Sequence, residues 1–118
     1  MSNSSLLTGL AALGCNVADG LDRFGGNEAM YEKFLKKFPL VCSDLNVLPM
    51  LVKGDIEGAI EKAHTLKGST GNLSLTPLFV GYTKIVGHLR AQEVDAAYRV
   101  LVDILPIQTD IINCIQTH

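Results

Sequence analysis

Tryptophan is absent and aromatic residues make up only 6% of the 118 residues. No stretch approaches the roughly 18 consecutive apolar residues of a membrane span, so no membrane insertion is expected. Lys and Arg never gather into a run that could track a phosphate backbone, and the net charge is −2. That balance argues against a nucleic-acid surface, and Lys33, Lys36 and Lys37 read as a solvated helix face. The three cysteines, Cys15, Cys42 and Cys114, are odd in number, widely spaced and outside any CxxC pattern. They suit a reducing cytoplasm and exclude a disulfide framework. His64, His88 and His118 are equally scattered, so neither a metal site nor a cofactor of the chain's own is expected. Period-two alternation, internal repeats and low-complexity stretches are missing too, which leaves no argument for a sheet.

What is present is apolar and periodic. With 47% hydrophobic and 19% charged residues the chain is too apolar for a disordered tail, and residues 1–118 make one domain. Residues 1–15 read as an N-terminal segment, either flexible or packing Leu6, Leu10 and Leu13 on the domain. The run from Leu6 to Cys15 is not expected to be an export or lipidation signal. No Lys or Arg precedes it, and Ala12-Leu13-Gly14 does not fit the residues that precede a lipidated cysteine.

Helical spacing then recurs along the chain. Asn16 is a candidate cap for a short helix carrying Val17, Leu21 and Phe24, ended by Gly25-Gly26. Asn27 caps the next, whose inward residues are Tyr31, Phe34, Leu35, Phe38, Val41, Cys42, Leu45 and Leu48. Pro39 predicts a kink or brief break within it, and Pro49 its approaching end. Asp55 caps a helix over about 55–73 with the stripe Ile56, Ala59, Ile60, Ala63, Leu66, Thr70 and Leu73. Thr76-Pro77 reads as a cap followed by proline, opening a helix with Leu78, Tyr82, Ile85 and Leu89 inward. The last stripe contains Val94, Ala97, Tyr98, Leu101, Ile104, Leu105, Ile111, Ile112 and Ile115, with a bend expected at Pro106. The expected architecture is all-α: an antiparallel up-and-down four-helix bundle with a short additional N-terminal helix.

One helix carries chemistry. His64 lies about 120° from the centre of its stripe, with Gly68 and Gly71 on the same side and Lys67 between it and the core edge. Neutral imidazole is a nucleophile at physiological pH, and a ring nitrogen can accept a phosphoryl group. Lys67, three residues on, can steady phosphoryl oxygens as a point charge. Gly68 leaves the ring accessible. Gly71 extends the clearing or serves tight helix packing, and Asn72 is a polar contact at the margin. A glycine inside a helix costs about 1 kcal/mol relative to alanine, so two of them call for a reason. An exposed histidine merely filling a helix boundary is the competing reading.

His64-Thr65-Leu66-Lys67-Gly68-Ser69, followed by Gly71-Asn72-Leu73, resembles the signature of histidine-containing phosphotransfer domains, the intermediates of multistep phosphorelays. Phe24-Gly25-Gly26-Asn27 with Tyr31 and Phe38, and Gly54-Asp55 upstream of the histidine, resemble members attached to hybrid sensor kinases. Ser74 stands where many relatives have glycine, and Val86 where they have glutamate. The resemblance implies a four-helix bundle whose His64 receives a phosphoryl group from the aspartate of one receiver domain and passes it to another. It implies Lys67 and Gly68 as supporting residues, and receiver domains of response regulators or a hybrid histidine kinase as partners. Mg²⁺ is expected on the partner, and the chain itself is expected to be a cytoplasmic monomer rather than an enzyme with an ATP site. Lys67-Gly68-Ser69-Thr70 does not make a phosphate-binding loop, because the upstream glycine is missing and the stretch lies in a helix. A non-phosphorylated adaptor for a receiver or other helical partner is the second reading. A small enzyme with His64 as general base is the third.

Overall fold

The computed structural model describes residues 4–118; residues 1–3 of the N-terminal segment lie outside the described residues. Among the described residues the regular structure is entirely α-helical. Five short helices come first: α1 (Ser5–Ala12), α2 (Val17–Arg23), α3 (Glu28–Leu35), α4 (Phe38–Asp44) and α5 (Leu48–Lys53). Three long ones follow: α6 (Ile56–Asn72), α7 (Thr76–Arg90) and α8 (Val94–Thr117).

Side-chain caps set four of these starts. Ser4, Asn16, Asn27 and Asp55 each accept a hydrogen bond from the backbone N–H three residues ahead, satisfying a donor that the first helical turn leaves unpaired. Prolines set three more. Pro39, Pro49 and Pro77 each occupy the second position of a helix, where a missing N–H costs nothing. The pattern from Asn27 to Leu48 is therefore not one kinked helix. It breaks just before Pro39, at 36–37, into α3 and α4, and Pro49 opens α5 instead of closing the helix before it. Thr76 is likewise the first residue of α7 and not its cap, which is Leu75. Pro106 ends nothing, since α8 runs through it. The carbonyl it deprives of a partner belongs to Val102, an exposed residue.

The core lies between the three long helices. Ala59, Ala63, Leu66 and Thr70 of α6 meet Leu78, Tyr82, Ile85 and Leu89 of α7. Ala97, Leu101, Ile104, Ile111 and Ile115 of α8 join the same core, α8 packing on α7. Gly81 sets the closeness of that second contact, since a Cβ there would lie 2.6 Å from the Ile104 side chain. Val86 is buried as well. Within the described part of the N-terminal segment Leu6, Leu7 and Leu10 are buried, and α1 packs on α8. Two residues expected inward face out, Phe34 at 41% exposure and Tyr98 at 47%.

Tyr31 anchors the C-terminal end of α6. Its hydroxyl donates to the Leu73 carbonyl at 2.7 Å, and Gly20 makes room for the ring, because a Cβ at Gly20 would overlap it. Burial raises the Tyr31 hydroxyl from an ordinary value of 10 to about 12. It raises Cys15 from 9 to about 11, and Cys42 from 9 to about 12. A raised folded-state pKa means that the folded protein keeps a proton the unfolded chain has lost, so the stability it represents is intact below the unfolded value and is lost as pH rises through the folded one. Urea unfolding midpoints should therefore fall between about pH 9 and pH 12. Tyr31→Phe, which cannot ionise, should soften the part of that fall above pH 10. An identical alkaline profile in the variant would show that Tyr31 contributes nothing to it.

Candidate functional site

The end of α6 is tied down by the loop that follows it. Ser74 adopts a left-handed backbone, φ 53°, which favours glycine, and turns the chain sharply into α7. Its hydroxyl donates to Asp19 Oδ2 at 2.6 Å, and its carbonyl accepts from the Asn16 N–H at 3.2 Å. The same Asn16 N–H reaches Thr76 Oγ1 at 3.1 Å. With the Tyr31–Leu73 bond, these contacts hold the last turn of a helix that two glycines weaken.

An open groove of about 540 Å³ runs along this end of α6. His64, Lys67, Gly68, Gly71 and Asn72 all line it, so the five residues singled out in the sequence come together. Its other wall is Asn16, Asp19, Arg23, Ser74, Thr76 and Phe79. His64 is exposed and makes no hydrogen bond among the described residues. Its ring nitrogens are therefore open to an incoming group. Lys67 is half-buried one helical turn away on the same wall.

The two glycines have different duties. A Cβ on Gly68 would meet nothing within 4 Å, so its cost to the helix has no packing reason and leaves clear space beside His64. A Cβ on Gly71 would lie 2.9 Å from Phe79 Cδ1. Gly71 admits the Phe79 ring from α7, which makes it first a packing residue. Asn72 is exposed at the margin, and it also borders a second groove.

That second groove, about 550 Å³, is lined by Phe24, Phe34, Phe38, Val41 and Leu73, with Arg23, Lys37, Ser69 and Asn72 at its edges. Phe24 stacks on Tyr31 and meets Phe34, both at 5.4 Å between ring centroids. Lys37 Nζ lies 4.8 Å from the Phe34 ring centre. These contacts steady the outward Phe34 at the mouth of an apolar trough beside the histidine groove.

Asp19 is the one carboxylate lining the histidine groove, and it is occupied. The hydrogen bond from Ser74 first, and that from Arg23 Nε at 2.9 Å second, hold it below the usual carboxylate range. A base that orients an imidazole would have to sit against His64, and Asp19 is turned to Ser74 and Arg23 instead. The cysteines offer no nucleophile, since desolvation raises all three thiols and keeps them protonated near neutrality. Among the described residues no group of three or more His, Cys, Asp or Glu could hold a metal ion, and no helix is long and apolar enough to cross a membrane.

Sequence reasoning misses the groove's other wall: it gives Asn16, Ser74 and Thr76 only as cap or turn residues, and does not single out Asp19, Arg23 or Phe79. The opposite charges of Asp19 and Arg23 at i, i+4 were a local signal for a pair, but nothing local placed that pair beside α6. No family model, curated protein or solved structure matches the chain, so a functional reading rests on its own residues and geometry.

Proposed function

We infer that the protein is a phosphorelay intermediate. His64 takes a phosphoryl group from the aspartate of one receiver domain and gives it to another. The observation that carries this reading is the combination at one groove of an unbonded, exposed imidazole, a lysine one turn away and open space over Gly68. A lone pair on a ring nitrogen attacks phosphorus, and the bond from phosphorus to the aspartyl oxygen breaks. The carboxylate leaves with the bonding electrons. No base is needed, because the attacking nitrogen of neutral imidazole carries no proton. Lys67 steadies the charge spread over the phosphoryl oxygens, while Mg²⁺ and the remaining acid-base groups belong to the receiver.

The scaffold in this reading is an antiparallel up-and-down four-helix bundle, with α3 and α4 together as one member and α6, α7 and α8 as the others. The short connections at 73–75 and 91–93 support it, as does the packing of α6 on α7 and α7 on α8. The protein works as a cytoplasmic monomer without an ATP site, its partners being receiver domains of response regulators or of a hybrid histidine kinase.

Incubation with a phosphorylated receiver tests the reading: the wild-type chain should acquire an acid-labile label, and failure to do so would end it. Lys67→Ala should slow labelling about tenfold, a loss of roughly 1.4 kcal/mol, without preventing it. Single-turnover rates and the lifetime of the phosphorylated protein check this, and values equal to wild type in both would remove the electrostatic role. The apolar trough favours a second reading, a non-phosphorylated adaptor that binds a receiver through Phe24, Phe34 and Phe38. An adaptor would bind the receiver and take no label.

A further inference from the structure

Arg23 is the residue common to the charged and the apolar groove, a position it shares only with Asn72. Its guanidinium is held in an orderly way. Nε donates to Asp19 Oδ2 at 2.9 Å, and the same oxygen accepts the Ser74 hydroxyl at 2.6 Å. Asp19 is thus fixed from behind, and its grip leaves the terminal amino groups of Arg23 as a fork of donors. The side chain is half exposed, at 50%.

Arg23 sits on α2, and the two grooves that it lines also share Asn72 of α6. Asn72 follows His64 by eight residues, an axial distance of about 12 Å. Ser74, which anchors Asp19, lies further on. Lys67, one turn from His64, serves the phosphoryl position, and Arg23 serves the boundary between the two grooves. The charges around it select that partner's chemistry. Arg23, Lys37 and Lys67 edge the two grooves, and Asp19, their one carboxylate, is already bonded twice.

We propose that Arg23, aimed by Asp19 and Ser74, is the docking cation that pairs with a surface carboxylate of the protein exchanging phosphate with His64. This rests on the phosphorelay reading. Asp19 and Ser74 are positioning residues, acting through the guanidinium. Because the fork is ordered before the partner arrives, less side-chain freedom is lost on binding. The pair lies at a solvent-exposed rim, so its effect falls on encounter and complex stability, not on the transfer step.

The full chain should be labelled with a phosphorylated receiver over a range of concentrations, and in parallel with phosphoramidate, a donor that has no protein surface. Arg23→Gln should raise the half-saturating receiver concentration about fivefold. The plateau rate and phosphoramidate labelling should stay as in wild type, and the difference should shrink as salt screens the pair. Arg23→Lys, which keeps the charge and loses the fork, should recover part of the affinity. Asp19→Asn and Ser74→Ala should give smaller rises with the same unchanged plateau. An unaltered half-saturation in Arg23→Gln would overturn the proposal, as would phosphoramidate labelling slowed in step with receiver transfer. If the wild-type chain takes no label from either donor, the phosphorelay reading falls and this proposal with it. If wild type is labelled and Arg23→Gln matches it throughout, only the role of Arg23 is lost.

Discussion

Replacing His64 with glutamine should reduce acid-labile labelling from a phosphorylated receiver to background while leaving the protein folded. Glutamine keeps a polar side chain of similar reach on the same helical face. It lacks a nucleophilic ring nitrogen, since its amide nitrogen lends its lone pair to the carbonyl. Nothing in the fold depends on the imidazole: His64 is exposed and has no hydrogen-bond partner among the described residues. Substitutions at such positions usually shift stability by no more than about 0.5 kcal/mol. Circular dichroism and a urea midpoint matching wild type, beside a complete loss of label, are the expected pair of results. Equal labelling of the variant would mean that the phosphoryl group goes elsewhere.

Gly68→Leu should act in opposite directions on stability and on transfer. The added side chain meets nothing within 4 Å of its Cβ, and leucine favours a helix over glycine by up to about 1 kcal/mol. The variant should therefore be as stable as wild type or more so. Transfer from a receiver should nonetheless fall by tenfold or more, a cost of at least about 1.4 kcal/mol, because the side chain projects where the partner approaches His64. Phosphoramidate is small enough to pass it, so labelling by that donor should persist. Gly71→Leu provides the contrast. Its Cβ would press on Phe79 at 2.9 Å, so this variant should lose stability before it loses docking. Receiver transfer unchanged in Gly68→Leu would leave that glycine without the function assigned to it.

Much of the scaffold could be read along the chain. Asn16, Asn27 and Asp55 cap the helices they were expected to cap, and the α6 and α7 stripes are buried at Ala59, Ala63, Leu66, Leu78, Tyr82, Ile85 and Leu89. These signals lie within a turn or two of the residues they organise, which is why periodicity and cap chemistry reveal them. The stretch from Asn27 to Leu48 takes the break that Pro39 predicts, at 36–37, while its further division between α4 and α5 has no such signal in an apolar spacing that continues across both gaps. Phe34 and Tyr98 share helical spacing with buried neighbours, yet both lie at the surface, since a spacing marks a face without saying how wide a neighbouring helix covers it.

The histidine stretch divides along the same line. That His64 stands off the apolar stripe, with Lys67 and Gly68 beside it, follows from 3.6 residues per turn and needs no other part of the molecule. That Gly71 serves Phe79, that Ser74 turns left-handed with its hydroxyl on Asp19, and that Arg23 closes the far wall of the groove are matters of tertiary structure alone. Local residues choose a helix and orient its side chains. Which surfaces come to face that helix depends on long-range burial, here the packing of α7 on α6 and the hydrogen bonds of α2 and its cap to the loop after α6, and no window of sequence contains both sides of such a contact.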